Sequence, residues 1–67
     1  MTTLIRLPLV IARTGLSRST IYAKIKDETF PAPIQLGLRA VGWIDNEVSE
    51  WIEARISQAR SGSEANG

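Results

Sequence analysis

The run Phe30-Pro31-Ala32-Pro33 stands near the middle of the chain, and no α-helix can pass through it. Each proline lacks a backbone N–H and pushes the residue before it toward extended backbone. Whatever precedes residue 30 must end there, and whatever follows residue 33 must start afresh. In 67 residues this division is severe, because a chain of that size buries only about 60% of the surface its unfolded form exposes. Ordering it costs on the order of 1.5 kcal/mol per residue, so the core must be small and efficient.

No covalent staple helps. The sequence has no Cys and no His, which excludes disulfides, thiolate or imidazole zinc sites, Cys or His nucleophiles and any Ser-His pair. A binding module is expected, not an enzyme, with no cofactor and no metal. A hydrophobic fraction of 43% and a charged fraction of 22% suit a folded domain. The longest apolar stretch, Leu7 to Ala12, contains Pro8 and falls far below the roughly 20 residues a membrane span needs. Arg6 precedes no apolar run of signal-peptide length, and the expected location is the cytoplasm, without membrane contact.

The net charge of +1 hides a segregation. Residues 1–44 carry Arg6, Arg13, Arg18, Lys24, Lys26 and Arg39 against Asp27 and Glu28, a net +4. Residues 45–67 carry Arg55 and Arg60 against Asp45, Glu47, Glu50, Glu53 and Glu64, a net −3. A chain polarised in this way offers a cationic side to an anionic partner and an acidic side to solvent or protein.

Local signals place the elements. Pro8 suits the first position of a helix that runs to about Thr14, with Leu7, Val10, Ile11 and Thr14 on one face and Leu7 as a poor N-cap. Gly15 can take the left-handed conformation that ends it, and Ser17 can cap a second helix over Arg18 to about Glu28. On that helix Ile21 and Ile25 face inward, while Arg18, Ser19, Tyr22 and Lys26 face outward. Asp27 and Glu28 oppose its macrodipole and favour an early end. After the proline connector, Ile34-Gln35-Leu36 and Val41-Gly42-Trp43-Ile44 read as a small hairpin about Gly37-Leu38-Arg39-Ala40. Asp45 is expected to cap a third helix with Val48, Trp51, Ile52 and Ile56 as its apolar stripe and Glu47, Glu50 and Glu53 away from it. The fold class expected is α+β, a small winged helix-turn-helix: helix-turn-helix, two-stranded antiparallel wing, C-terminal helix. One domain spans residues 1–60, followed by a disordered tail over 61–67.

Arg6-Leu7-Pro8, Arg13-Thr14-Gly15-Leu16-Ser17-Arg18-Ser19-Thr20-Ile21-Tyr22, Phe30-Pro31, Gly37, Val41-Gly42-Trp43, Glu47-Val48 and Trp51-Ile52 together resemble the AlpA-type phage regulatory proteins, grouped with excisionase-like and MerR-like winged helices. The resemblance covers residues 6 to about 56. It implies a small DNA-binding regulator of a prophage or genomic island, some relatives activating an integrase gene and some acting as excisionases. Two positions depart from the group: Ala23 stands where an exposed Arg is common, and Lys24 where an apolar residue is common. An Ala methyl can still pack on a thymine methyl, and the Lys24 stem can snorkel toward phosphate.

The second helix is the recognition candidate, since a helix of its size fits the major groove and sets its first turns against base edges. Arg18 and Lys26 suit phosphates or a guanine, against the reading of solvated surface cations. Ser19 and Thr20 lie where a hydroxyl reaches phosphate beside a helix N-terminus. Ser17 serves as cap before contact, and Tyr22 either covers the core edge with its hydroxyl on phosphate or simply packs. Arg39, at the hairpin tip, can enter the minor groove or remain in solvent. Arg6 and Arg13 flank the first helix as backbone clamps or solubilising charges. Phe30, Trp43 and Trp51 are core residues.

The expected DNA-contact set is therefore Ser17, Arg18, Ser19, Thr20, Tyr22, Ala23, Lys26 and Arg39. The partner is double-stranded DNA, with the second helix in the major groove and the wing in the minor groove; self-association on DNA and an integrase contact through the acidic ridge are further expectations. The rival reading is a protein-interaction module, an inhibitor or antitoxin-like adaptor whose polarised faces meet protein.

Overall fold

The structure is a computed structural model that describes the backbone of residues 1–66 and the side chains of residues 1–61. The elements follow in the order β1 (Leu4–Ile5), α1 (Leu7–Thr14), α2 (Arg18–Lys26), β2 (Ile34–Gln35), β3 (Val41–Ile44) and α3 (Asp45–Asn66). The class is the α+β winged helix-turn-helix anticipated from the sequence, with one addition. The sheet has three strands, in the order β1-β3-β2. β3 pairs antiparallel with β2, Ile34 facing Gly42 and Gln35 facing Val41, and on its other side with β1, Leu4 facing Ile44 and Ile5 facing Trp43. The wing strands were legible, but the two-residue β1 was not: so short a strand carries no period of its own.

Local chemistry sets the helix ends. α1 begins one residue earlier than expected, capped by Arg6 in extended backbone, without a side-chain cap bond and with proline in its first turn. Gly15 closes it at φ 74°, its N–H donating to the Ile11 carbonyl. An L side chain there would be strained. Ser17 then caps α2: its Oγ accepts from the Thr20 N–H at 3.2 Å. α2 stops at Lys26, with Glu28 at φ 62° just beyond, short of the full span to Glu28. Asp45 is a second correction. β3 runs directly into α3, so Asp45 is the first helical residue and not a cap outside it. Its backbone N–H donates to the Thr3 carbonyl, and its carboxylate receives the Arg13 guanidinium.

The core is Ile5, Val10, Ile21, Phe30, Trp43 and Val48, one residue each from β1, α1, α2, the proline connector, β3 and α3. Leu7, Ile11, Leu16, Ile25, Val41, Trp51 and Ile52 pack around it. Trp43 has no exposed surface, and its indole N–H donates to the Pro31 carbonyl at 3.0 Å. That bond satisfies the one polar atom that burial would otherwise orphan. The Trp51 indole N–H donates to the Thr29 carbonyl at 2.6 Å, and its ring meets Phe30 edge-on, centroids 4.9 Å apart. The two tryptophans thus moor the connector to β3 and to α3. Ile56, expected on the buried stripe, is 39% exposed, because the core ends at Ile52. Of the tail expected over 61–67, residues 61–66 fall at the end of α3, and residue 67 lies outside the described residues.

Candidate nucleic-acid interface

The outward face of α2 is fixed by its inward one. Ile21 is buried and Ile25 half-buried, and with a period of 3.6 residues this turns Arg18, Ser19, Tyr22, Ala23 and Lys26 to solvent; all five are exposed. Thr20 is half-buried. Its hydroxyl accepts from Ser17 Oγ at 2.9 Å, so Ser17 and Thr20 hold each other at the helix start. Lys24, rotated toward the interior, is half-buried. The Tyr22 ring stands edge-on to Trp43 with centroids 6.3 Å apart, and the Arg18 guanidinium lies 5.9 Å from the ring centre. Tyr22 therefore covers the core edge and seats Arg18 at once. A cation over an aromatic face loses some of its freedom to wander.

Beside this face lies a groove lined by Arg6, Leu7, Pro8, Arg18, Tyr22, Arg39 and Val41. Arg6 comes from the β1–α1 junction, Arg18 from the first turn of α2, and Arg39 from the wing. Three arginines from three parts of the chain so line one depression. Among the described residues the only ion pair is Arg13 with Asp45, so none of these three is neutralised by a carboxylate. Such an arrangement suits a polyanion whose charges are spaced along a strand.

Arg6, read from the sequence as a backbone clamp or a solubilising charge, lines the same groove as Arg18 and Arg39. Its place follows from the pairing of β1 with β3, which lays the start of α1 beside the wing, and no local signal announces that pairing. Arg13 took the opposite course. Its guanidinium is tied to Asp45 and donates to Ser49 Oγ at 2.7 Å, joining α1 to α3 away from the groove. Lys26 is exposed at the far end of α2 and does not line the groove.

The wing is short and braced. The Leu36 N–H donates to the Ala40 carbonyl at 2.8 Å and the Gly37 N–H to the same oxygen at 3.3 Å. The Gln35 side-chain amide donates to the Gly37 carbonyl. Gly42 is glycine because a Cβ there would lie 2.9 Å from Leu36 Cδ1 and 3.3 Å from the Ile5 carbonyl oxygen. The missing side chain lets Leu36 lie over the sheet and steady the tip that carries Arg39.

A separate shallow groove is bordered by Glu47 and Glu50 of α3 with Pro31, Pro33, Ile34, Ile44 and Trp51. The two grooves share no lining residue: one carries three arginines and the other two glutamates.

Comparison with known proteins matches residues 3–56 to the family model described as Prophage CP4-57 regulatory protein (AlpA). A protein of Escherichia coli (strain K12) described as DNA-binding transcriptional activator AlpA is 43% identical over 58 residues, covering 78% of this chain and 83% of that protein. A protein of Enterobacteria phage P4 described as uncharacterized protein ORF88 is 41% identical over 61 residues, covering 91% of this chain and 69% of its own.

Proposed function

The chain belongs to the AlpA family of prophage regulatory proteins, and on that premise we propose that it is a sequence-specific, double-stranded DNA-binding regulator. One observation carries the reading: Arg6, Arg18 and Arg39 converge on one groove beside the exposed face of α2, with no carboxylate paired to any of them among the described residues. The similarity to a relative described as a DNA-binding transcriptional activator points the same way.

In this reading α2 enters the major groove and the wing crosses the neighbouring minor groove. Arg18 and Lys26 span the two ends of α2 and take phosphates or a guanine. Ser19 reaches phosphate beside the helix N-terminus, Tyr22 offers its hydroxyl, and Ala23 meets a thymine methyl. Arg39 goes into the minor groove or onto its edge, and Arg6 clamps the backbone between helix and wing. Ser17 and Thr20 serve chiefly to hold the start of α2. No step of chemistry is needed: the protein acts by occupancy and by shaping the duplex.

At a finer level the reading covers control of an integrase gene, excision as a recombination directionality factor, or both, in a prophage or genomic island. Self-association on DNA and an integrase contact would use the acidic α3 side, away from the duplex.

The test is retention of duplexes drawn from the DNA flanking the protein's own gene. With three to five phosphates neutralised, log affinity falls against log salt with a slope of about 0.9 per phosphate. Arg18→Ala with Lys26→Ala should abolish retention at moderate salt and leave the circular dichroism spectrum unchanged. Unaltered retention would place the contact away from Arg18 and Lys26, and no retention of any duplex by the wild-type chain would instead favour the protein-interaction module.

A further inference from the structure

Leu38 is 100% exposed. Apart from the terminal Met1, the other exposed large hydrophobics keep half or more of their surface covered. Among them are Ile34 and Leu36, on the same hairpin. Single exposed leucines need no explanation in general, but this one stands at the tip of a turn, where Gly, Asn, Asp and Ser are the residues that backbone geometry favours. Geometry does not demand Leu38. Among the described residues only Gly15 and Glu28 have positive φ, so the tip has a backbone that a polar residue could adopt as well. Burial does not demand it either, since nothing in the fold covers it.

What singles it out is its neighbour. Arg39 follows it directly and lines the same groove as Arg6 and Arg18, which puts the tip on the cationic side of the molecule. The mount is stiff: Leu36 and Gly37 both donate to the Ala40 carbonyl, and the Gln35 amide closes on Gly37.

We infer that Leu38 is a wedge that enters between base steps of the minor groove when the wing docks, partly unstacking one step and kinking the duplex. The inference rests on the DNA-binding reading. An apolar side chain carried into the minor groove by an adjacent cation is the combination that unstacks and bends DNA. Pyrimidine–purine steps such as TA are the ones most readily opened, so the wedge also adds a preference for TA without a hydrogen bond to any base. The guanidinium of Arg39 holds the tip against the phosphates or groove floor, and Leu38 takes its apolar surface out of water.

The test needs no knowledge of the target site. A hairpin-closed duplex of alternating A and T, with 2-aminopurine in place of adenine at TA steps, is titrated with the full chain at low salt. Anisotropy of an end label reports binding, and 2-aminopurine fluorescence reports unstacking. The wild-type chain should bind with a several-fold rise in fluorescence. Leu38→Ala should bind within about tenfold of wild type, since the unstacking cost it avoids offsets the apolar burial it forgoes, but give no rise. Leu38→Phe should restore the rise. Binding without any rise in the wild type overturns the wedge and leaves the DNA-binding reading standing. A rise that persists in Leu38→Ala, with loss of cooperative binding, overturns the wedge and gives the leucine to a neighbouring copy of the chain. No anisotropy change at any salt overturns the DNA-binding reading, and the wedge with it.

Discussion

At the scale of single residues, the positions that matter most are those where one atom too many, or too few, changes the backbone. A methyl at Gly42 would press on Leu36 Cδ1 at 2.9 Å and on the Ile5 carbonyl at 3.3 Å. Leu36 can swing aside, but the carbonyl belongs to a paired strand and cannot. Gly42→Ala should therefore cost about 1–3 kcal/mol, as overpacking usually does, seen as a lowered urea midpoint. Gly15 is a different case, because nothing lies within 4 Å of its missing Cβ and only φ 74° opposes a side chain. Gly15→Ala should cost about 1–2 kcal/mol by backbone strain alone. Ser17→Ala removes the cap on Thr20 and should cost about 1 kcal/mol while leaving the affinity for duplex unchanged. A weaker affinity at every salt concentration, with the slope intact because a hydroxyl releases no counterion, would show that Ser17 touches phosphate. These residues were readable from sequence alone, since a glycine after a helical run and a serine before the next one act over a few residues. The need for glycine at 42 was not, because the atoms it must avoid come from Leu36 and from the distant β1.

At the scale of elements, the less obvious strand is β1. It supplies Ile5 to the core and fixes where α1 begins. Ile5→Ala should destabilise the domain by about 2–5 kcal/mol, which in so small a core is most of the stability. Loss of the cooperative thermal transition is the expected outcome. A variant that melts like wild type would mean that β1 is dispensable. The Arg13–Asp45 link joins α1 to α3 across the sequence, but both side chains keep contact with solvent, where ion pairs contribute little. A double-mutant cycle with Arg13→Ala and Asp45→Ala should return a coupling below about 1 kcal/mol. A larger value would mean that Ser49, which also receives the guanidinium, makes the three a cooperative unit. Arg13 shows what a list of charges from a sequence leaves out: six cations lie in the first 44 positions, and this one is paired within the chain to Asp45.

At the scale of the whole molecule, the controlling feature is that three arginines line one groove and two glutamates line another. On the proposed reading, a phosphate backbone in the groove lined by Arg6, Arg18 and Arg39 would be neutralised by all three. Replacing all three arginines with alanine should lessen the slope of log affinity against log salt by roughly 2.7, about 0.9 for each phosphate no longer neutralised. Arg55→Ala, on the far helix where its guanidinium covers Trp51, should leave the slope as it was. An equal change from Arg55→Ala would mean that the duplex also wraps α3. Among the described residues no helix is long and apolar enough to cross a membrane.

The sequence by itself determined the helix boundaries near Gly15 and Ser17, the break at Phe30-Pro31-Ala32-Pro33, the wing strands, the aromatic core and the outward set on α2. Each of these depends on backbone preference or side-chain period within one short segment. Only the tertiary structure decided that Leu4 and Ile5 form a third strand, that Arg6 joins Arg18 and Arg39, that Arg13 turns inward to Asp45, and that Leu38 stands wholly in solvent. The first three come from contacts between residues far apart in the chain, such as Ile5 with Trp43 and Arg13 with Asp45, and the last from the lack of any. A strand of two residues or a lone arginine has no local pattern, and its role is settled by whichever neighbour the packed core brings within reach.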